Sequence, residues 1–191
     1  GVIGVKSSPR FLADKQRSEL FEELINSKLN VERVWVVADL EDSDLDQLLQ
    51  MPGYPSVIQL HGNESPQKCQ ELKGKYPMFK WWKAFQIKNE ESLSALKQYE
   101  ASVDSFLLDA WSNKALGGTG KRIPIEWLKQ INFNVPWWLA GGISTESISE
   151  VLNNLNPYGI DASSKLEHSP GIKDIEKVKN LIKEIAKKNI N

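Results

Sequence analysis

The sequence predicts an α/β fold of the (β/α)8 TIM-type barrel kind, with strands two to eight of such a barrel present in residues 1–191 and the first strand and helix missing. Three observations carry this. Short apolar runs bounded by turn residues alternate with longer stretches of helical spacing, and the strand starts fall roughly 23 to 32 residues apart, the size of one β-loop-α-loop repeat. Most of the runs are continuous rather than alternating, as in parallel strands covered on both faces by helices. Glycines cluster after the late strands, at Gly117, Gly118, Gly120, Gly141 and Gly142, where barrels that handle phosphorylated ligands hold the phosphate. A doubly wound dinucleotide fold would instead carry G-x-G-x-x-G after its first strand, and residues 1–11 contain no such run.

The strands are expected at residues 1–5, 33–38, 56–61, 81–87, 105–109, 137–141 and 160–163. Residues 1–5 form an apolar β-branched run without a basic flank or a small-residue cleavage site, so they read as the inside of a buried strand and not as a signal peptide. Buried strands rarely start at a chain terminus, which is why an upstream unit is expected. The helices are expected at 13–26, 43–50, 65–75, 91–100, 124–130, 145–155 and 174–188. Ser43, Ser65 and Ser144 are candidate N-caps. Asp174 opens an amphipathic run through Ile175, Val178, Ile182 and Ile185, and Lys187 and Lys188 suit the negative end of its dipole.

With 191 residues and no linker or composition break, the chain reads as a single domain over 1–191. Its 24 Lys+Arg against 25 Asp+Glu leave a formal net charge of -1, without the basic footprint of a nucleic-acid or anionic-membrane binder. The lysines of the last helix read as its solvated face, because Glu184 and a regular apolar stripe interrupt them. The one cysteine, Cys69, cannot form an internal disulfide or a multi-cysteine zinc site, and a reducing cytoplasm is the expected compartment. No apolar run approaches the ~18 to 20 residues that span a bilayer.

Asp109 ends the run Phe106-Leu107-Leu108, at the carboxyl end of a strand and hence on the catalytic face of a barrel. It is a candidate proton donor or base; an N-cap or loop-orienting role is the alternative. Burial beneath a neighbour such as Trp111 would raise its pKa into the range useful for acid catalysis. Leu116-Gly117-Gly118-Thr119-Gly120-Lys121 can bring backbone N–H groups close to an anion, but its spacing is not that of a Walker loop, and a bare flexible loop would look the same. Leu139-Ala140-Gly141-Gly142-Ile143, followed by Ser144 and Thr145 at a helix start, is a sharper anion signal, with unsatisfied N–H groups and the helix dipole acting together. Asp161-Ala162-Ser163-Ser164 ends the next strand and could supply the other half of a phosphate site. His61, in Gln59-Leu60-His61-Gly62, is a lone strand-end histidine of the kind that more commonly serves structure than chemistry. Arg10, in Ser7-Ser8-Pro9-Arg10, would suit bidentate binding of a carboxylate, with a surface salt bridge as the competing use. Cys69 lies mid-helix, away from the catalytic face.

Taken together, Ser8-Pro9-Arg10, Gln59-Leu60-His61-Gly62, Leu107-Leu108-Asp109, Gly117-Gly118-Thr119-Gly120-Lys121, Leu139-Ala140-Gly141-Gly142-Ile143, and the stretch from Gly159-Ile160-Asp161-Ala162-Ser163-Ser164 to Ser169-Pro170-Gly171-Ile172-Lys173-Asp174 resemble the phosphoribosylanthranilate isomerases of tryptophan biosynthesis. The resemblance implies a cofactor-free, metal-free Amadori rearrangement of N-(5'-phosphoribosyl)anthranilate. It implies that Asp109 is the general acid and that Arg10 binds the anthranilate carboxylate. Gly118, Gly120, Gly141, Gly142, Ser163 and Ser164 would hold the phosphate, and His61 and Asp161 would line the active-site mouth. The small phosphoribosyl substrate is then the partner, with no nucleic acid and no membrane.

Two departures stand out. The family's general base is a cysteine in a Lys-Ile-Cys-Gly segment on the first barrel strand, and residues 1–191 contain no counterpart, so the expectation is binding with impaired turnover. Lys165 stands where the family usually has glycine after the paired serines. A parallel barrel without its first strand would also present two unpaired edges, on the strands beginning at Gly1 and Ile160, and these would favour self-association. Two other readings are a non-catalytic phosphosugar-binding barrel derived from the isomerase and another phosphate-binding barrel enzyme such as indoleglycerol-phosphate synthase. The latter needs catalytic Lys and Glu residues at strand ends, and Lys83 is the one strand lysine of interest.

Overall fold

A computed structural model of the chain describes residues 1–110 and 122–188. They form two compact units, one of Gly1–Ala84 with Ala101–Asp104, the other of Phe85–Glu100 with Ser105–Asn191.

The first unit alternates strands and helices: β1 (Val2–Ile3), α1 (Asp14–Asn26), β2 (Val34–Val37), α2 (Asp42–Leu49), β3 (Val57–Leu60), α3 (Pro66–Lys75) and the first part of β4 (Lys80–Ile87). Its strand pairs are parallel, with Val2 opposite Trp35, Val37 opposite Leu60 and Leu60 opposite Lys83. The continuous apolar pattern has the expected outcome: all four residues of β3 are buried, and Trp81, Ile58, Val57 and Leu60 are fully enclosed. Arg17 of α1 is buried as well, its guanidinium stacked 4.6 Å from the Trp35 ring centroid.

The second unit continues with α4 (Glu91–Ser94), a 3-10 turn (Ala95–Tyr99), β5 (Ser105–Ala110), α5 (Ile125–Leu128), β6 (Trp137–Leu139), α6 (Thr145–Asn154), β7 (Gly159–Ile160), a 3-10 turn (Ser164–Leu166), β8 (Glu167–Ser169), β9 (Ile172–Lys173) and α7 (Ile175–Lys188). Strands β5, β6 and β7 are parallel in register, Leu108 opposite Leu139 and Leu139 opposite Ile160. Phe106 anchors the core, with Phe85 and Phe133 edge-on to it at 5.2 and 5.1 Å between centroids. Gly159 is required for close packing, because a Cβ there would stand 2.3 Å from the Trp138 ring. No described helix is long and apolar enough to cross a membrane.

Seven parallel strands alternating with helices are what the sequence predicts; several boundaries differ. Gly1 is exposed and residues 2–5 are half-buried rather than buried, and only Val2–Ile3 pair as a strand, since the chain folds back at once: Ser8 N–H donates to the Val5 carbonyl (2.9 Å) and Leu12 N–H to that of Ile3 (2.9 Å). The helix expected over 91–100 breaks at Ser94, whose hydroxyl donates to the Glu91 carbonyl (2.8 Å) and competes for an acceptor of the helical ladder. Ser65 caps α3, accepting from Lys68 N–H at 3.2 Å, whereas Ser43 caps nothing: α2 starts one residue earlier, from a capping box in which Glu41 N–H donates to Asp44 Oδ2 (3.0 Å). Asp174 caps α7, accepting from Glu176 and Lys177 N–H groups at 3.0 and 3.1 Å. The strand expected over 160–163 is confined to Gly159–Ile160, and the hairpin of β8 and β9, turning at Pro170-Gly171 with Gly171 at φ +86°, is not foreseen.

Candidate active site

Parallel register places the chemistry of the second unit. Because Leu108, Leu139 and Ile160 are aligned across β5, β6 and β7, the residues that follow them, Asp109, Ala140 and Asp161, lie side by side at the strands' carboxyl ends. Ala140 N–H donates to the Leu108 carbonyl and Asp161 N–H to that of Leu139, each at 2.8 Å.

Asp109 is 7% exposed. Burial first, and then the charge of Asp161, push its carboxyl up to about 6, against a partial pull downward from the Ala110 backbone N–H. Such a group is half protonated near pH 6 and still about one-tenth protonated at pH 7, far more than an ordinary carboxyl, and can deliver that proton to a substrate oxygen. Trp111, foreseen as the residue that covers Asp109, lies outside the described residues.

Immediately after β6, Gly141 and Gly142 take φ of +88° and +64°, the left-handed region in which glycine is unstrained. The turn delivers the chain to Ser144, whose N–H donates to Ser147 Oγ (2.9 Å) in the capping box of α6. The first-turn N–H groups of α6 therefore begin within a few residues of the strand end. After β7, Ser163 is held by Lys173, whose Nζ donates to the Ser163 carbonyl (3.2 Å) and hydroxyl (3.1 Å) and pairs with Glu167 (2.7 Å). Ser164 opens the 3-10 turn that leads into the hairpin. Lys165 is exposed. The Glu146 carboxyl in the first turn of α6 lies below its ordinary range, through the Ser144 hydroxyl above all and through the charges of Lys165 and Lys177 to a lesser degree. A cavity of about 450 Å³ lies among Arg122, Ile123, Ile125, Leu139, Gly141 and Val151; among the described residues, Gly141 is the one predicted site residue that lines it.

In the first unit, Arg10 is half-buried in the folded-back loop after β1, its N–H donating to Ser8 Oγ at 3.2 Å. His61 follows β3. Its Nδ1 is 3.3 Å from Gln59 Nε2, and its Nε2 is buried without a hydrogen-bond partner among the described residues. Desolvation, followed by the charge of Lys83, lowers its pKa to about 4, against a weaker opposing effect of Glu64, so the imidazole is neutral at physiological pH. Lys83 and Glu64 are an ion pair that sequence reasoning missed: Nζ to Oε2 is 3.1 Å, and the side chains are 3% and 2% exposed. The signal was a lysine in the otherwise apolar run Trp81-Trp82-Lys83-Ala84-Phe85, which requires a buried counter-charge. Cys69 is fully buried in α3, and burial raises its thiol to about 11, the opposite of an activated base. Among the described residues no group of three or more His, Cys, Asp or Glu side chains could hold a metal ion.

The second unit thus gathers Asp109, Gly141, Gly142, Asp161 and Ser163 at one set of strand ends, with Ser164 next to Ser163. Arg10 and His61 belong to the first unit. Gly118 and Gly120 lie outside the described residues. A family model described as N-(5'phosphoribosyl)anthranilate (PRA) isomerase matches residues 1–184. The chain belongs to the phosphoribosylanthranilate isomerase family. An N-(5'-phosphoribosyl)anthranilate isomerase from Rippkaea orientalis is 40% identical over 185 residues, which are 97% of this chain and 84% of the relative. The crystal structure of a phosphoribosylanthranilate isomerase from Thermus thermophilus superposes with a TM-score of 0.78 at 28% identity, covering 98% of this chain and 86% of that one. Another isomerase of this name, solved in complex with reduced 1-(o-carboxyphenylamino)-1-deoxyribulose 5-phosphate, shares the fold at a TM-score of 0.73 and 21% identity, covering 98% and 86%. These isomerases serve tryptophan biosynthesis, and the seven-stranded parallel α/β arrangement is that of their TIM-type fold.

Proposed function

We propose that this chain binds N-(5'-phosphoribosyl)anthranilate and that Asp109 is the acid of its Amadori rearrangement. The observation that carries the proposal is a buried carboxyl, raised to about 6, beside a second carboxylate and in strand register with a glycine turn that starts a helix. In this reading Asp109 gives its proton to the ribose ring oxygen. The C1'–O bond breaks as the anthranilate nitrogen lone pair forms the C=N bond, leaving a ring-opened Schiff base and an ionised Asp109. Loss of the C2' proton to a base then gives the enolamine, and its tautomerisation gives the 1-amino-1-deoxy ketose.

The phosphate is assigned to the Gly141-Gly142 turn with the start of α6, to Ser163 and Ser164, and to Gly118 and Gly120. Support comes from the paired glycines, which lack a Cβ and take positive φ so that the backbone can approach an anion, and from the unsatisfied N–H groups of a helix start. Arg10 takes the anthranilate carboxylate, and His61 and Asp161 line the mouth. No residue among 1–191 is assigned as the cysteine base, since Cys69 is sealed inside α3 with a raised pKa. The 191-residue chain is therefore expected to bind the reduced product analogue and to turn substrate over slowly, by roughly the 10²- to 10⁴-fold that general base catalysis contributes.

The test is a coupled fluorescence assay of substrate consumption alongside titration with the reduced analogue. Asp109→Asn should abolish most of the residual rate while leaving analogue affinity within a few-fold of the parent. An unchanged rate would remove Asp109 from the mechanism; failure of the analogue to bind the parent chain would remove the substrate assignment.

A further inference from the structure

Around His61 the first unit contains a construction that the proposed function does not use. Lys83, in β4, is 3% exposed, and its Nζ donates to the Gly62 carbonyl (2.9 Å), the Leu60 carbonyl (3.4 Å) and the Ala84 carbonyl (2.9 Å). Leu60 and Gly62 are the two neighbours of His61 in the chain, so one buried ammonium holds the backbone on both sides of that residue. Glu64 completes the bracket: Oε2 pairs with Lys83 Nζ, and Oε1 accepts from the N–H of Asp39 at 2.8 Å. Asp39, at the end of β2 with φ +51°, in turn accepts the Asn63 N–H on Oδ1 at 2.9 Å. The segments that follow β2 and β3 are thereby tied to the middle of β4, with His61 at the centre of the knot.

The ring is oriented separately. With the Gln59 side-chain amide donating to Nδ1, the imidazole proton belongs on Nε2. That nitrogen is buried and has no acceptor among the described residues. A buried donor left without a partner is disfavoured, and in native proteins such a group calls for an explanation, of which a role towards a bound group is one. Nearby charge acts in the same sense, since a second positive charge beside Lys83 would be repelled.

We propose that Lys83, locked by Glu64, is a positioning residue that presents His61 as a neutral Nε2–H donor to an oxygen of the bound sugar phosphate. Lys83 does not touch the ligand in this assignment; it sets the place, the tautomer and the charge of the group that does. The inference rests on the reading that the strand-end face binds the phosphoribosyl substrate, and its test separates the two.

In the full 191-residue chain, the ring nitrogens of His61 are read by 15N NMR at pH 7, without ligand and then with reduced 1-(o-carboxyphenylamino)-1-deoxyribulose 5-phosphate. The expected spectrum is a neutral ring protonated on Nε2 alone, whose Nε2–H signal moves downfield when the analogue binds. An imidazolium, or a proton on Nδ1, overturns the inference, as does a bound state in which the Nε2–H signal is unmoved. Lys83→Met combined with Glu64→Met removes both charges, so that neither is left buried alone. In this double variant the analogue's Kd should rise about tenfold, as for one lost hydrogen bond of good geometry, and the single His61 tautomer should give way to a mixture. Unchanged affinity with an unchanged tautomer overturns the assignment. If the double variant does not fold, the parent spectrum still decides. If the analogue does not bind the parent chain, the substrate reading fails, and a lone Nδ1–H or charged ring in the same sample would separately refute the role given to Lys83.

Discussion

Asp109, next to last in β5, and Asp161, which directly follows β7, stand on either side of β6, and the charge of Asp161 adds to burial in lifting the Asp109 carboxyl to about 6. Exchange of Asp161 for asparagine keeps the burial and removes the charge. The Asp109 midpoint in Asp161→Asn, followed by 13C NMR of the side-chain carboxyl, should fall below 6 yet stay above the ordinary 3.8. A midpoint that stays put would show that Asp161 exerts no charge effect at Asp109.

The same raised pKa predicts a conflict between chemistry and stability. A carboxyl that titrates near 6 when folded and near 3.8 when unfolded favours the folded state only while it stays protonated. Its stabilising contribution is complete below pH 3.8 and is lost as pH rises through 6, so that at pH 8 the buried charge costs about 3 kcal/mol at most. Asp109→Asn should accordingly raise Tm at pH 8, by less at pH 5, and not at pH 3.5. Equal effects at pH 8 and pH 3.5 would mean that the carboxyl is not held up by its surroundings.

Gly141 at φ +88° has no strain-free replacement. Gly141→Ala should lower stability by about 1–2 kcal/mol in urea unfolding and weaken binding of the reduced analogue, because the turn must relax away from the left-handed conformation that starts α6. Wild-type affinity in this variant would separate the turn from the phosphate.

Glu64 and Lys83 predict an asymmetry between single and double substitutions. Glu64→Ala leaves an ammonium that is 3% exposed without its carboxylate and should cost roughly 3–5 kcal/mol, whereas replacing both residues by methionine should cost much less. Additive losses in thermal unfolding of the two single variants and the double would show that the pair is not coupled.

The alternation of strands and helices was legible because burial on both faces of a parallel strand demands apolar residues without a break, as at Val57, Ile58 and Leu60. Strand-end residues were legible for the same reason: Asp109 and Asp161 are charged residues at the points where apolar runs stop. What escaped depended on contacts distant in sequence. Glu64 sits 19 positions before Lys83, and nothing local marks the two as a buried pair. The hairpin of β8 and β9 escaped because two- and three-residue strands leave no periodicity, although Pro170-Gly171 announced a turn. Ser43 looked like a cap because serine favours that position, but the Glu41 and Asp44 box won by supplying two hydrogen bonds in place of one.

Lys173 reaches back ten residues from β9 to hold both the carbonyl and the hydroxyl of Ser163. The ribbon between them therefore acts as a spacer: an insertion or deletion across 167–172 would change the reach of Lys173 to Ser163 while leaving both residues in the chain, so the grip on that hydroxyl depends on the length of the hairpin as well as on the lysine itself.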